Sequence, residues 1–571
     1  MPVLPRLTDS RRLTGANLFW DRPAAIIDIA CEGPGASGAL KAAVEAWSGA
    51  TSALLEAVEM PGERLTHRLF DGGASLLISA PVDVLYSMCE LNEAAWQAAL
   101  AILEGGEPAD TGADTNRLLD LFEKERNPAL LALQAAARDH EVPFLWDDDE
   151  VSVGYGKSAL VWTPDALPAP DEVDWKSVGT IPVAMVTGTN GKSTTVRMAA
   201  AILAAAGLRA GLTSTDWIRV GETILDTGDY SGTGGARTLM RHPDTEVAVL
   251  ETARGGLLRR GLGIERADAA VITNVAADHL GEWGINTVPE LIEAKFIVRR
   301  ALHGNAPLIL NADDDGVVQY AGTLDHAVTW FGLDPAADLV REHLEAGGKT
   351  ACLQDGWLEL RHGDRVRRVI RAEQIPATLD GAARHNVSNA LAAMALCDTL
   401  GVDEAAIREG LAGFRGDEDD NPGRGNWFRK GDIRILVDFA HNEHGMLALA
   451  EMVERVQARR VVLLMGQAGD RLDKDIGDLT RAACRMNPAR LMLCELPGYE
   501  RGRQPMETPN LIRDFAIDSG VNEANIELHG DPADAAALAL ADARPGDLLV
   551  FLALTRREEI LRLVHGFLGA D

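Results

Sequence analysis

The stretch TGTNGKSTT, Thr187 to Thr195, decides the fold of this chain. Ahead of it, Ile181-Pro182-Val183-Ala184-Met185-Val186 is an apolar run that predicts a buried strand. Behind it, the Ala-rich run Val196–Ala206 predicts a helix. Strand, glycine turn and helix start is the setting a phosphate-binding loop needs. Gly188 and Gly191 let backbone N–H groups approach an anion, and the helix N-terminus adds positive potential. In such a loop Lys192 reaches the β- and γ-phosphates and the Ser193 hydroxyl ligates Mg2+. The spacing G-x-x-G-K-S is shorter than the common form, because Val186 stands where the first glycine would be. A GKS tripeptide in a random loop is frequent; one seated between strand and helix is not.

Working outward, the strand–helix alternation of a parallel sheet continues from Ile181. Val183–Thr187, Val247–Glu251, Ala269–Asn274 and Pro307–Asn311 read as buried strands, with helical patterns between them. Ala351–Arg371 alternates and predicts a β-hairpin insertion, and helices resume over His385–Leu400 and Glu404–Leu411. Gly416–Gly425, GDEDDNPGRG, is loop-forming throughout. Beyond it Ile433–Phe439, Val461–Met465, Leu491–Cys494 and Leu548–Leu552 read as strands of a third α/β unit. On the N-terminal side, Ala24–Ile29 and Ala74–Ser79 read as strands, and Glu93–Leu103 and Leu118–Arg138 have helical spacing. Thr163–Asp174, TPDALPAPDEVD, is rich in Pro and Asp and reads as a linker. The expected fold class is therefore α/β and multidomain. An N-terminal α/β domain spans 1–162, a linker 163–180, a central P-loop parallel-sheet domain 181–425 and a Rossmann-like α/β domain 426–571.

Size agrees, since 571 residues exceed a single core and suggest roughly three to four domains. Apolar content of 46% with 25% charged residues is that of an ordinary globular protein. With 55 basic against 86 acidic residues the net charge is −31, which argues against a nucleic-acid or anionic-membrane surface. The six cysteines are scattered with no C-x-x-C pair, so neither a zinc site nor a disulfide framework is expected, and a reducing cytoplasm is the default location. The start, MPVLPRLTDSRR, has no apolar signal-peptide region, and no run of about 18 apolar residues occurs.

In an open parallel sheet, ligands collect at the carboxyl ends of the strands. Three residues lie where a metal and nucleotide would be handled: Glu251 at the end of VAVLE, His279 after VITNVAADHL, and Lys295 on the helical run VPELIEAKFIVRRAL. Singly they read more readily as a solvated strand end, a capping or core histidine and a surface lysine. Together with the loop they form a pattern.

That pattern resembles a known family. T-G-T-N-G-K-S, E-T-A-R-G-G, T-N-V-x-x-D-H-L, the downstream Lys and G-x-x-R-H-N-V-S-N resemble the central domain of the Mur ligases, ATP-dependent amide-forming enzymes that include folylpolyglutamate synthetase. Pro422-Gly423-Arg424, Val437-Asp438-Phe439-Ala440-His441-Asn442 and Gly469-Asp470-Arg471 agree with it. Leu250 to Leu262, with Gly281 and Gly284-Ile285, is most similar to the Mur-ligase-like half of cyanophycin synthetases. Leu13-Thr14-Gly15-Ala16-Asn17 and Val153-Gly154-Tyr155-Gly156 resemble their N-terminal domain, while their ATP-grasp domain has no counterpart here.

The resemblance implies ATP and two Mg2+ ions as cofactors, and an acyl phosphate made from an acceptor carboxylate and displaced by an amine. It implies that Gly188, Thr189, Asn190, Gly191, Lys192, Ser193 and Thr194 cradle the phosphates, with Ser193 and Glu251 on one Mg2+. His279 would ligate a second Mg2+, with Lys295, carbamylated, as its anionic ligand or stabiliser. Asn386 matches an adenine contact, Arg424 an arginine that reaches the γ-phosphate, and Asp438 a residue near the ribose. The implied partners are an amino acid, as a small-molecule substrate, and a carboxylate-bearing peptide or polymer acceptor. Cyanophycin-like chemistry, arginine onto an aspartyl side chain, is the leading expectation. Tyr499 to Arg503 with Glu507 resembles a substrate-side stretch, and reads equally as a charged surface loop. Arg254, Arg259 and Arg260 would meet an anionic acceptor or pair with nearby acids. The alternatives are a peptidoglycan- or polyglutamate-type ligase, a non-catalytic nucleotide-binding partner of a separate polymer synthetase, and a P-loop ATPase or kinase. Absence of a G-K-G-H-E segment weakens the cell-wall assignment. Homo-oligomers are common among enzymes, but no sequence signal marks one here.

Overall fold

A computed structural model describes residues 4–106 and 111–569, so the first three residues of the N-terminal stretch quoted above lie outside the described residues. Three sheets carry the main α/β units. In the first, Arg6–Leu13, Ala24–Ala30, Gly73–Ser79 and Leu65–Phe70 pair antiparallel in that order. Helices Ala36–Ala57 and Leu85–Leu103 cover it through buried Trp47, Met88 and Trp96. A small antiparallel sheet, Phe144–Trp146, Val151–Val153 and Leu160–Trp162, completes this unit.

The central sheet has eleven strands. Its parallel core runs Ala210–Thr213, Val247–Glu251, Val183–Thr187, Ala269–Ile272, Leu308–Asn311, Val328–Gly332, Lys349–Gln354. Val183–Thr187 and Ala269–Ile272 are buried throughout, as a parallel strand covered by helices on both faces must be. Each fully buried aliphatic side chain of this kind stabilises the fold by roughly 1.5–3 kcal/mol. The chain leaves Val183–Thr187 towards one side and returns on the other, so the switch point of the sheet falls at the carboxyl end of that strand. Helix Lys192–Ala205 starts there and is buried on most of its surface beneath helices Arg384–Thr399 and Glu404–Gly413. The third sheet orders Asn426–Lys430, Ile433–Asp438, Asp547–Leu552, Arg460–Met465, Arg490–Cys494 and Ile526–His529, parallel from the second strand onward.

Four local expectations differ. Leu118–Arg138 is two helices, Thr111–Glu125 and Pro128–Asp139, because Asn127 caps the second by accepting from the Leu130 N–H and Pro128 occupies its first turn. Ala351–Arg371 belongs to three strands, not a hairpin: Lys349–Gln354 joins the parallel core, and Trp357–His362 and Arg365–Arg371 extend the sheet antiparallel. The helix carrying Lys295 ends at that residue, and Phe296–Ala301 is 3-10. The Pro- and Asp-rich stretch from Thr163 is a strap laid on the N-terminal core, since Leu167, Val173, Trp175 and Val178 pack there and Trp175 stacks on His140 at 4.5 Å. No disulfide joins the described cysteines, and among the described residues no helix is long and apolar enough to cross a membrane.

Candidate functional site

The phosphate loop is shaped from beneath by the next strand. Gly188 takes φ +148°, and a Cβ there would lie 1.9 Å from Thr273 Oγ1; at Gly191, φ +85°, a Cβ would lie 2.2 Å from Asn389 Oδ1. Only glycine fits either position. Asn274 accepts from the Thr189 N–H at its carbonyl (2.7 Å) and from the Asn190 N–H at its side chain (3.0 Å), which fixes the loop's curve. Lys192 Nζ donates to the Thr189 carbonyl at 3.0 Å. Ser193 Oγ lies 3.5 Å from Thr215 Oγ1, and Thr194 Oγ1 accepts from Asn421 Nδ2 at 3.1 Å.

Glu251 ends the neighbouring strand, only 2% exposed, and neither carboxylate oxygen has a hydrogen-bond partner. A buried carboxylate left unsatisfied is costly, and such sites are ordinarily closed by a cation. A carboxylate is a hard oxygen donor of the kind Mg2+ takes.

Lys295 is 4% exposed, and its Nζ donates to the Gly188 carbonyl at 2.6 Å. Burial, with Lys192 and Arg254 adding to it, pushes the amine well below its usual range although Asp278 opposes the shift. This places Lys295 under the loop, not on the surface. His279 takes a left-handed backbone, φ +52°, an unusual conformation for a residue with a Cβ. Its Nδ1 faces Glu282 Oε1 at 3.3 Å and its Nε2 faces Arg471 Nη2 at 3.0 Å. Asp278 beside it meets Arg471 Nη1 at 3.0 Å and lies 3.7 Å from His441 Nε2. Burial opposes ionisation of Asp278, but His441, His279 and Arg471 outweigh it and hold the carboxyl well below the usual carboxylate range.

The third unit closes over the loop. Asn190 and Asn442 exchange amide hydrogen bonds at 3.0 and 3.2 Å, and Asn190 Nδ2 also lies 3.0 Å from His444 Nδ1. Arg424 Nη2 donates to Thr215 Oγ1 at 2.8 Å and Arg424 Nη1 pairs with Asp216 at 3.1 Å, with the guanidinium 5.4 Å over the Phe439 ring. Asp216 also holds Arg197 and, at 2.8 Å, Arg557. Burial opposes its charge, yet the three arginines bring its carboxyl down to about 2. Asp438 accepts from the Ala440 N–H at 2.8 Å, and burial raises its carboxyl. Asn386 Nδ2 donates to the Ala377 carbonyl at 2.8 Å.

Lys295 thus touches the loop at the Gly188 carbonyl, and Arg424 and Ser193 both meet Thr215; among the described residues no group of three or more His, Cys, Asp or Glu is arranged to hold a metal. Arg254 pairs with Glu282 and the His279 carbonyl, so it is a structural partner of nearby acids. Arg501 and Arg503 bind Asp470 and Asp473, which makes that stretch a brace for the Arg471 loop. Arg197, Thr215, Asp216, Asn421 and Arg557 carry no local motif. Asp278 and Arg471 lay inside quoted motifs, and their juxtaposition alone is new.

Comparison with known proteins follows the same outline. Residues 186–397 match the Mur ligase middle domain, and 423–553 match the Mur ligase, glutamate ligase domain. A cyanophycin synthetase of Trichormus variabilis is 40% identical over 308 residues, 54% of this chain and 34% of that protein. A UDP-N-acetylmuramate–L-alanine ligase of Gluconacetobacter diazotrophicus is 28% identical over 372 residues, 64% of this chain and 70% of that protein. The chain spans 34% to 42% of the length of the cyanophycin synthetases it matches. A structure of E. coli FolC with ADP superimposes with TM-score 0.50 at 18% identity, covering 67% of this chain and 90% of FolC, which is a likeness of fold.

Proposed function

From the premise that the middle and C-terminal domains make this chain a member of the Mur ligase family, a family of ATP-dependent amide ligases, we propose that it activates an acceptor carboxylate as an acyl phosphate and couples it to an amino-acid amine. The observation that carries this reading is Glu251, a buried carboxylate with no partner at the mouth of the phosphate loop. In this reading the working domains are 1–162, 181–425 and 426–571, joined by the strap 163–180.

The loop N–H groups from Gly188 to Thr194 and Lys192 hold the β- and γ-phosphates of ATP, and Ser193 with Glu251 would hold Mg2+. That ion would supply charge neutralisation for phosphoryl transfer, a reaction governed by positioning and electrostatics more than by covalent chemistry. Arg424, resting on Asp216 and Thr215, would neutralise charge on the transferring group. Asn386 faces the adenine and Asp438 the ribose. Asn190, shared between the loop and Asn442, ties phosphate binding to closure of the amine-carrying domain. Lys295, whose burial beside Lys192 and Arg254 disfavours the charged amine, has the character required to take up CO2 as a carbamate.

The relatives named cyanophycin synthetase favour arginine as the amine and an aspartyl side chain as the acceptor. The test is amine-dependent ADP release with Mg2+, amino acids being screened against aspartyl-peptide and peptidoglycan-precursor acceptors, with Lys192→Ala as blank. Release requiring both arginine and an aspartyl peptide is expected. ATP binding without coupled release for any pair would leave a nucleotide-binding partner of another synthetase.

A further inference from the structure

The resemblance implies a second divalent cation between His279 and Lys295, and the residues there do not fit one. Lys295 spends its amine on the Gly188 carbonyl. Both ring nitrogens of His279 are taken, by Glu282 and by Arg471. Of the two carboxylates near His279, Asp278 is engaged by Arg471 at 3.0 Å and Glu282 by Arg254. A guanidinium lies where a metal ion would have to approach both side chains, and like charges in one corner exclude each other.

Arg471 is not a loose surface side chain. Its guanidinium is 15% exposed, and its backbone carbonyl accepts from Arg503 Nη2 at 2.8 Å. Arg503 also donates to the Gly469 carbonyl at 2.8 Å and pairs with Asp473, and Arg501 pairs with Asp470 at 2.7 Å. Four consecutive hydrogen bonds and ion pairs therefore brace the turn that presents Arg471. Beyond His279 the chain runs through Gly281, Trp283 and Gly284, which line a cavity of about 610 Å³ together with Arg259 and Arg260, between the first and central units. The corner thus stands between the phosphate loop and an open space able to admit an acceptor.

We propose that Arg471 serves as the cation of this corner in place of a second divalent ion, so that the third domain itself delivers positive charge beside the acceptor carboxylate. The proposal rests on the ligase reading for its purpose, and its structural content stands without it. Because Arg471 belongs to the third unit, the charge reaches Asp278 and His279 only when the domains close. A planar guanidinium suits a carboxylate better than a point charge does, by bidentate geometry. Arg471 acts here as a positioning residue that orders Asp278 and His279.

The experiment counts metal ions and needs no substrate turnover. Full-length protein with a non-hydrolysable ATP analogue is titrated with Mn2+, and free ion is followed by electron paramagnetic resonance. The wild type is expected to bind one Mn2+ per chain tightly, Arg471→Ala to bind two, and Arg471→Lys to bind one. Two tight ions in the wild type, or one in Arg471→Ala with an unchanged melting temperature, overturns the proposal. Should Arg471→Ala fail to fold, Asp278→Asn decides in its place: it leaves the guanidinium but removes its anchor, and a wild-type count of one that stays at one supports the proposal, whereas a wild-type count of two falling to one overturns it. Loss of nucleotide binding altogether by the wild type would instead defeat the ligase reading.

Discussion

Two carboxylates flank the phosphate loop, Glu251 on one side and Asp278 on the other, and they are in opposite states. Glu251 is buried with neither oxygen bonded; Asp278 is ringed by Arg471, His441 and His279. The protein offers the first no hydrogen-bond donor, and to the second it supplies the cation itself. The difference teaches where each cation comes from. Glu251 sits on a buried central strand, paired on both sides, and the arginine whose charge reaches it, Arg197, is itself held by Asp216. Asp278 lies in a loop facing the third unit, where a braced arginine can reach it.

The sharpest way to break this contrast is Glu251→Gln. With nucleotide present, Mn2+ affinity is expected to fall by at least about 100-fold, the upper range seen when even outer-shell metal partners are removed. The metal-free variant should melt higher than the wild type, since an unpaired buried charge has been neutralised. A lower melting temperature would mean Glu251 has a partner and the contrast fails. Asp278→Asn should do the reverse. It leaves Mn2+ affinity within about 3-fold, well inside the 10-fold that 1.4 kcal/mol represents. It costs about 2 kcal/mol of interdomain stability, through a lost charge-assisted hydrogen bond, read by hydrogen exchange at the domain junction.

The acid limb sharpens the comparison further. The Asp278 carboxyl is depressed in the folded state, so its contribution is present above pH 3.8 and is lost as pH falls below that value. Asp278→Asn is expected to flatten the wild-type decline there, and a parallel decline in both proteins would remove Asp278 as its cause. The smallest effect concerns His385, beside Asn386, where burial holds the imidazole down to about 4. The unfolded chain takes up a proton near pH 6.5 and the folded one does not, so stability is lost as pH falls from 6.5 towards 4. At pH 5.5 the loss is about 1 kcal/mol, and His385→Gln should abolish it in a urea titration.

The half of the site built on local pattern was readable from the chain. The loop needs its glycines, hydroxyl and lysine within a few residues, and Glu251 needs only to end an apolar strand beside it. Lys295 was legible as a position, but not as a buried amine under Gly188, because the 3-10 turn that buries it has no distinct composition. Asp216 was invisible for a different reason. Its three arginines come from positions 197, 424 and 557, and ion pairs across such separations leave no spacing to read. Arg471 and Asp278 were both quoted as motif letters, yet their meeting depends on how two domains dock. The break at Asn127-Pro128 was legible and misread, for the capping asparagine and the proline stood in plain sequence.

An eleven-stranded sheet ends in a strand with one row of backbone groups unpaired, and here that strand is Arg365–Arg371, RVRRVIR, exposed from Arg365 to Arg368. Such an edge is a template on which another copy of the chain can lay a strand of its own. Four arginines lie along its seven residues, three of them paired with Asp398, Glu359 and Glu373, and charged side chains of this kind blunt an edge against such addition. A strand so charged on its exposed half is a poor seat for a copy of itself. Exchanging Arg365 and Arg367 for threonine would turn a terminus into a seed for fibrous association.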